Sequence, residues 1–142
     1  MTSHGSAESR QLARHLLDRE TIDVTEESAL AAAMQRAYER VSKDLRETFG
    51  EDGFAALLVR ALSRVQAGSE VLEAMRRVEG SRIHLEVAAG VGGHGAKAAA
   101  EALESLITAI VDILSDLIGA DMVRHLLVHD GSAQTRDDRR FE

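Results

Sequence analysis

The stretch AKAAAEALESLITAIVDILSDLI, residues 96–118, decides how the rest of this 142-residue chain is read. Leu103, Leu106, Ile107, Ile110, Ile113, Leu114 and Leu117 recur at spacings of three and four, which places them on one face of an α-helix. Val111 and Ile118 widen that face, and Glu101, Glu104, Thr108, Asp112 and Ser115 leave only a narrow polar edge. An ordinary surface helix needs an apolar stripe of roughly 100°, and this one is wider. The segment is therefore expected either at the centre of a helical bundle or shared with a second copy of the chain. Residues 103–118 carry Asp112 and Asp116, which makes them too short and too charged to cross a bilayer.

Working outward, Gly119 ends this helix, and Asp121 is placed to cap a short one holding Met122, Val123, Leu126 and Leu127. Residues 131–142 are polar and of mixed charge, and are expected to be a disordered tail. A second long helix is predicted at about 24–48. Its stripe is Leu30, Met34, Ala37, Val41 and Leu45, while Gln35, Glu39, Lys43 and Glu47 face the other way. Asp23 and Glu26 have the form of a capping box at its start, and Gly50 is the expected C-terminal cap. Gly50-Glu51-Asp52-Gly53 then reads as a turn, with Asp52 capping a helix that carries Phe54, Leu57, Leu58, Ala61, Leu62 and Val65. Shorter helices are expected at 8–20 and from Ser69 through Val78, with residues 1–7 flexible. Between the helices, 79–95 is irregular or extended: Ile83, Leu85 and Val87 alternate with Arg82, His84 and Glu86, a strand-like period of two, and four glycines follow.

Composition agrees with an all-α fold. There is no proline to interrupt long helices, and aromatic residues, which favour strands, make up only 3%. A chain that is 44% apolar and 29% charged is ordinary for a globular protein and unlike a disordered one. The absence of cysteine excludes disulfides, zinc–thiolate sites and thiol chemistry, and fits a reducing compartment. Residues 1–10 have no apolar core of a secretory signal, so a cytoplasmic location is expected. A net charge of −7 argues against nucleic acid and against an anionic membrane surface as partners. Only two of the 17 basic residues are lysine, a bias that points to a GC-rich, bacterial genome.

Three patterns could carry chemistry. Gly90-Val91-Gly92-Gly93-His94-Gly95 spells G-x-G-x-x-G after a strand-like stretch and before a helix, the context in which backbone amides cradle a pyrophosphate. The acidic residue that such a fold needs about 20 positions later, on a second strand, is missing. Region 112–116 is helical by pattern, and too few strand signals exist to build a parallel sheet. The plainer reading of Gly90, Gly92, Gly93, His94 and Gly95 is a connector between helices. His125 and His129 are four apart and would share a helix face, as zinc-binding pairs do, but Leu126 and Leu127 stand where a metalloprotease carries its glutamate. His15 lacks the acidic neighbour and downstream proline of a phospho-accepting histidine, since Leu16 follows it.

The sequence thus leads to a single all-α helical bundle over 8–130, with two long amphipathic helices and shorter ones filling in. The expected function is non-enzymatic: a regulatory or adaptor protein working through protein–protein contacts as a homo-oligomer, a homodimer first of all. Leu103, Ile107, Ile110, Val111, Leu114 and Ile118 would form the interface, because symmetric pairing is the commonest way to bury an excess of apolar surface. No cofactor is called for. The rivals are a small-ligand or anion-binding module at the loop 90–95 and a metal-binding protein using His125 and His129.

Overall fold

A computed structural model describes residues 3–21, 26–65, 69–79 and 82–128. In chain order these form α1 (Ser3–Thr21), α2 (Glu27–Arg64), α3 (Ser69–Met75), β1 (Arg76–Glu79), β2 (Arg82–Leu85), α4 (Val87–His94), α5 (Ala96–Ile118) and α6 (Ala120–Leu127). The architecture is an all-α bundle with one antiparallel hairpin, in which Arg76 pairs with Leu85 and Val78 with Ile83.

The centre is α5, packed against α1, α2, α3, α4 and α6. Its bounds match the sequence reading, and the glycines on either side explain why. Gly95 has φ +95 and Gly119 φ +93, a left-handed region open to glycine at little cost. Most of the residues expected at a dimer interface are taken up by the chain's own core. Leu103, Ile107, Ile110, Val111 and Leu114 are all buried within the single chain, and of the six residues only Ile118 reaches the surface. The surplus apolar width of α5 is met by several elements of the chain closing round it. Each Leu or Ile so enclosed contributes about 1.5–3 kcal/mol.

The polar edge of α5 is used as well. Glu104 receives Arg10 at 3.1 Å and Arg14 at 3.2 Å, and Asp112 accepts the Ser9 hydroxyl at 2.5 Å. These side chains lie on α1, whose apolar face of Leu12, Ala13, Leu16 and Leu17 is buried. That helix starts at Ser3, so part of the segment read as flexible is helical. At its other end Glu20 meets Arg40 at 2.8 Å and Arg36 at 3.5 Å on α2. Burial works to raise the Glu20 pKa, but the two guanidinium groups outweigh it and hold the carboxyl below its ordinary value.

Three local expectations change. Gly50, with φ 82, ends the first helical half of α2 as expected, but no four-residue turn follows: helical geometry resumes at the next residue and the two halves meet at a kink. Asp52 accordingly lies inside the second half of α2, where Glu51 and Asp52 suit the positive end of its dipole. At the start of α2 the N-cap is Glu26, with no side-chain capping bond, and Asp23 lies outside the described residues. Finally, α3 stops at Met75, and Val78 belongs to an exposed strand instead.

Candidate functional site

Among the described residues, those singled out from sequence do not come together. The glycine run is not a loop, because Gly90, Gly92 and Gly93 lie within α4. Gly90 is small for packing reasons: a Cβ there would sit 2.7 Å from Met75 Cε and 3.3 Å from Val71 Cγ1, both on α3. Gly92 and Gly93 are exposed with open space around them, and His94 is exposed in the last turn. Only Gly95 has the backbone that demands glycine, and it serves as the joint into α5. His125 is exposed on α6, and His129 lies outside the described residues. Among the described residues no three His, Asp or Glu side chains gather as a metal site would require. His15 is exposed on α1.

The structure instead builds a site between the first half of α2 and the hairpin. Gln35 holds the two together. Its amide nitrogen donates to the Leu85 carbonyl at 2.9 Å and to the Glu39 carboxylate at 3.1 Å, and its oxygen accepts the Val87 amide at 2.8 Å. With Leu85 buried at its base, the hairpin is carried over one ridge of α2. A two-stranded hairpin is marginal alone, so these contacts fix it in place. Arg77 lies 3.0 Å from Glu86, and His84 Nε2 lies 3.5 Å from the Glu79 carboxylate.

Beneath the hairpin lies a cavity of ≈ 440 Å³ lined by Tyr38, Ser42, Lys43, Arg46, Ile83 and His84, together with Gln35, Glu39 and Leu85. It shares Arg46 and Ile83 with an adjoining cavity of ≈ 280 Å³, walled by Phe54, Ala55 and Leu58 and rimmed by Glu51 and Asp52. Tyr38, Ser42 and Arg46 are four residues apart, hence stacked along one ridge of the helix. Tyr38 is 4% exposed and Ser42 1%. Tyr38 Oη, Ser42 Oγ and Arg46 Nε are each shut off from solvent with no hydrogen bond of full geometry, while Tyr38 and Ser42 lie close enough for Ser42 to draw the phenol pKa down. Arg46 stacks over the Phe54 ring at 4.8 Å, and its Nε is 3.6 Å from the Glu51 carboxylate, a charge contact too long to be a hydrogen bond. Burial pushes the Tyr38 phenol above its ordinary pKa, against the opposing pull of Ser42 and Arg46, so at neutral pH it keeps its proton and remains a donor.

The arrangement is a polar cleft with an apolar continuation, and the lysine at its edge is paired with Glu47 at 3.0 Å. The sequence reading turned Gln35, Glu39 and Lys43 outward and passed over Tyr38, Ser42 and Arg46. One signal was available. Each of the three directly follows a member of the buried stripe, Ala37, Val41 and Leu45, so they flank the core face rather than oppose it.

Compared with models of known protein families, with curated proteins and with solved structures, the chain matches none of them.

Proposed function

We propose that the chain is a ligand-binding helical module that holds a small molecule between α2 and the hairpin. The observation that carries this reading is the cleft itself, lined along one ridge of α2 by Tyr38, Ser42 and Arg46 and closed over by the hairpin residues Ile83, His84 and Leu85. A buried polar group without a partner costs about 1–3 kcal/mol, and departures from full satisfaction concentrate where function opposes stability. A regulatory role fits such a cleft, since a ligand there would bear on α2 and the hairpin together.

Tyr38→Phe tests the reading, because it removes the hydroxyl and keeps the ring. The unliganded variant is expected to melt at a higher temperature than the parent. A lower melting temperature would mean that the hydroxyl is satisfied by the fold itself, and the cleft would lose its claim. Native mass spectrometry of the protein purified without added ligand is the companion measurement, with an added small mass expected on the parent and absent from Tyr38→Phe.

A second reading keeps the homo-oligomer but moves its interface. Leu117 is 68% exposed, Ile118 38% and Met122 55%, and the three flank Gly119 where α5 passes into α6. Pairing of two chains through this end would cover them. The expected result is a dimer that Leu117→Lys with Met122→Lys converts into folded monomers; a monomeric parent chain removes this reading.

A further inference from the structure

We infer that the hairpin is a lid on the α2 cleft, hinged at its base where Gln35 holds it and latched farther out by Ile83. The inference rests on the cleft being the binding site and adds how a ligand would reach it. Tyr38 and Ser42 line the cavity yet are closed to solvent, so nothing arrives at that ridge unless its cover moves. The cover is the hairpin, whose Ile83, His84 and Leu85 line the same cavity.

The hold on the hairpin weakens from its base outward. At the base Met75 and Val87 are fully buried, and the Glu86 amide donates to the Met75 carbonyl at 2.8 Å. Gln35 accepts the Val87 amide at 2.8 Å and donates to the Leu85 carbonyl at 2.9 Å. Leu85 is still buried, Ile83 is half-buried, and Val78, its cross-strand partner, is 62% exposed. All four residues of β1 are exposed. Arg77 with Glu86 and His84 with Glu79 are contacts of the hairpin with itself or its base, so they travel with it. Lys43 at the rim pairs with Glu47 of its own helix. An element with so little buried apolar surface opens at a lower free energy than the core does. Ile83 opposes that opening: its side chain packs on the core and borders both cavities under the lid.

Two readouts on the full, unliganded chain test the lid. The first is amide hydrogen exchange against urea. Residues 77–79 and 83–84 should exchange through an opening that responds little to low urea, because a pivot exposes little surface. Amides 106–110 of the buried α5 should follow the steep slope of global unfolding, and those of Glu86 and Val87 at the hinge should exchange at least about tenfold more slowly than the free half. The second is nitration of Tyr38 by tetranitromethane, which reports the cleft alone because the chain has one tyrosine. Ile83→Ala should speed both exchange of the free half and nitration roughly tenfold, as three half-buried carbons imply. Leu12→Ala, on α1, should speed amides 106–110 at least about tenfold and leave the free half and nitration unmoved, since the contacts of Leu12 survive when the lid opens.

A free half and a nitration rate that respond to urea or to Leu12→Ala as α5 does would mean that the hairpin opens only with the whole fold, and would overturn the lid. Ile83→Ala changing neither would overturn it too, as would hairpin amides that open alone while Tyr38 stays unnitrated, or hinge amides exchanging as fast as the free half. If either variant fails to fold, the urea slopes of the parent decide. Both readouts work without ligand and so judge the lid, whereas the copurified mass judges the cleft.

Discussion

The two long helices have opposite relations to the rest of the chain. Along α5 as far as Leu114 the apolar face is enclosed, Glu104 is paired with Arg10 and Arg14, and Asp112 takes the Ser9 hydroxyl; only the last turn, with Leu117 and Ile118, is left open. Along α2 the apolar stripe is equally well buried, yet the ridge beside it carries Tyr38, Ser42 and Arg46 into a cavity without a hydrogen bond of full geometry. The hydrophobic effect is non-directional and is satisfied by any close cover, so it closed both faces. Hydrogen bonding is directional, and a buried donor without an acceptor weighs against folding. The difference teaches that the helix most conspicuous in the sequence organises the fold, while the less conspicuous one carries the site.

The most severe way to break this contrast is to charge the centre of α5. Ile110→Asp, with Ile110 fully buried, would place an unpaired carboxylate in the core. A loss of more than about 4 kcal/mol is expected, read as loss of the cooperative urea transition. A variant that remained a folded monomer would show that α5 is not enclosed as described.

Gly90→Ala comes next. The added methyl would press on Met75 and Val71 where α4 meets α3, and overpacking of this kind costs about 1–3 kcal/mol. Gly92→Ala and Gly93→Ala meet open space in the same helix, so each should stabilise by roughly 0.5–1 kcal/mol through helix propensity. Chemical denaturation of the three variants sharpens the division between a packed end and a free end of α4. If all three lost stability alike, the segment would be behaving as the loop that its glycines suggest.

What was legible follows the range of the interactions. The bounds of α5 could be read because a wide apolar pattern and two terminal glycines agree at one level, the local one. Gly50 was visible but its effect was not: a single positive φ followed at once by helix makes a kink, and composition does not distinguish that from a stop. Ile83 and Leu85 announced β2, whereas β1 is exposed at all four positions and so leaves no alternating signature. The glycines of α4 argue locally against helix, and the burial of Val87 and Val91 overrides them. The cleft was the least legible. Tyr38, Ser42 and Arg46 flank the buried stripe in the sequence, but nothing local shows that a hairpin some forty residues later returns over them.

The effect of Tyr38→Phe on the unliganded chain is expected to be about 1 kcal/mol in the stabilising direction. Its value lies in its opposite number on the finished side of the molecule. Ser9→Ala removes a hydroxyl that already donates to Asp112, so thermal denaturation should show a loss of similar size. Two hydroxyl deletions with opposite signs would establish that one helix is complete and the other awaits a partner. Equal signs would dissolve the distinction.

The smallest expected effect concerns the salt link between α1 and α2, and its sign is fixed by the direction of the Glu20 shift. The carboxyl is held below its ordinary value in the folded chain, with Arg40 and Arg36 outweighing the cost of burial. The unfolded chain therefore takes up this proton first as pH falls. The contribution of Glu20 is present above the unfolded pKa and disappears as pH drops through the lower, folded one. Glu20→Gln should flatten that part of the acid limb of stability against pH while costing at most about 1 kcal/mol at neutral pH, since both arginines are half-exposed. An acid limb identical in parent and variant would mean that α1 is held by its apolar face and by Glu104 and Asp112 alone. That outcome would leave the contact of α1 with α2 to packing alone, with its polar anchors all on α5.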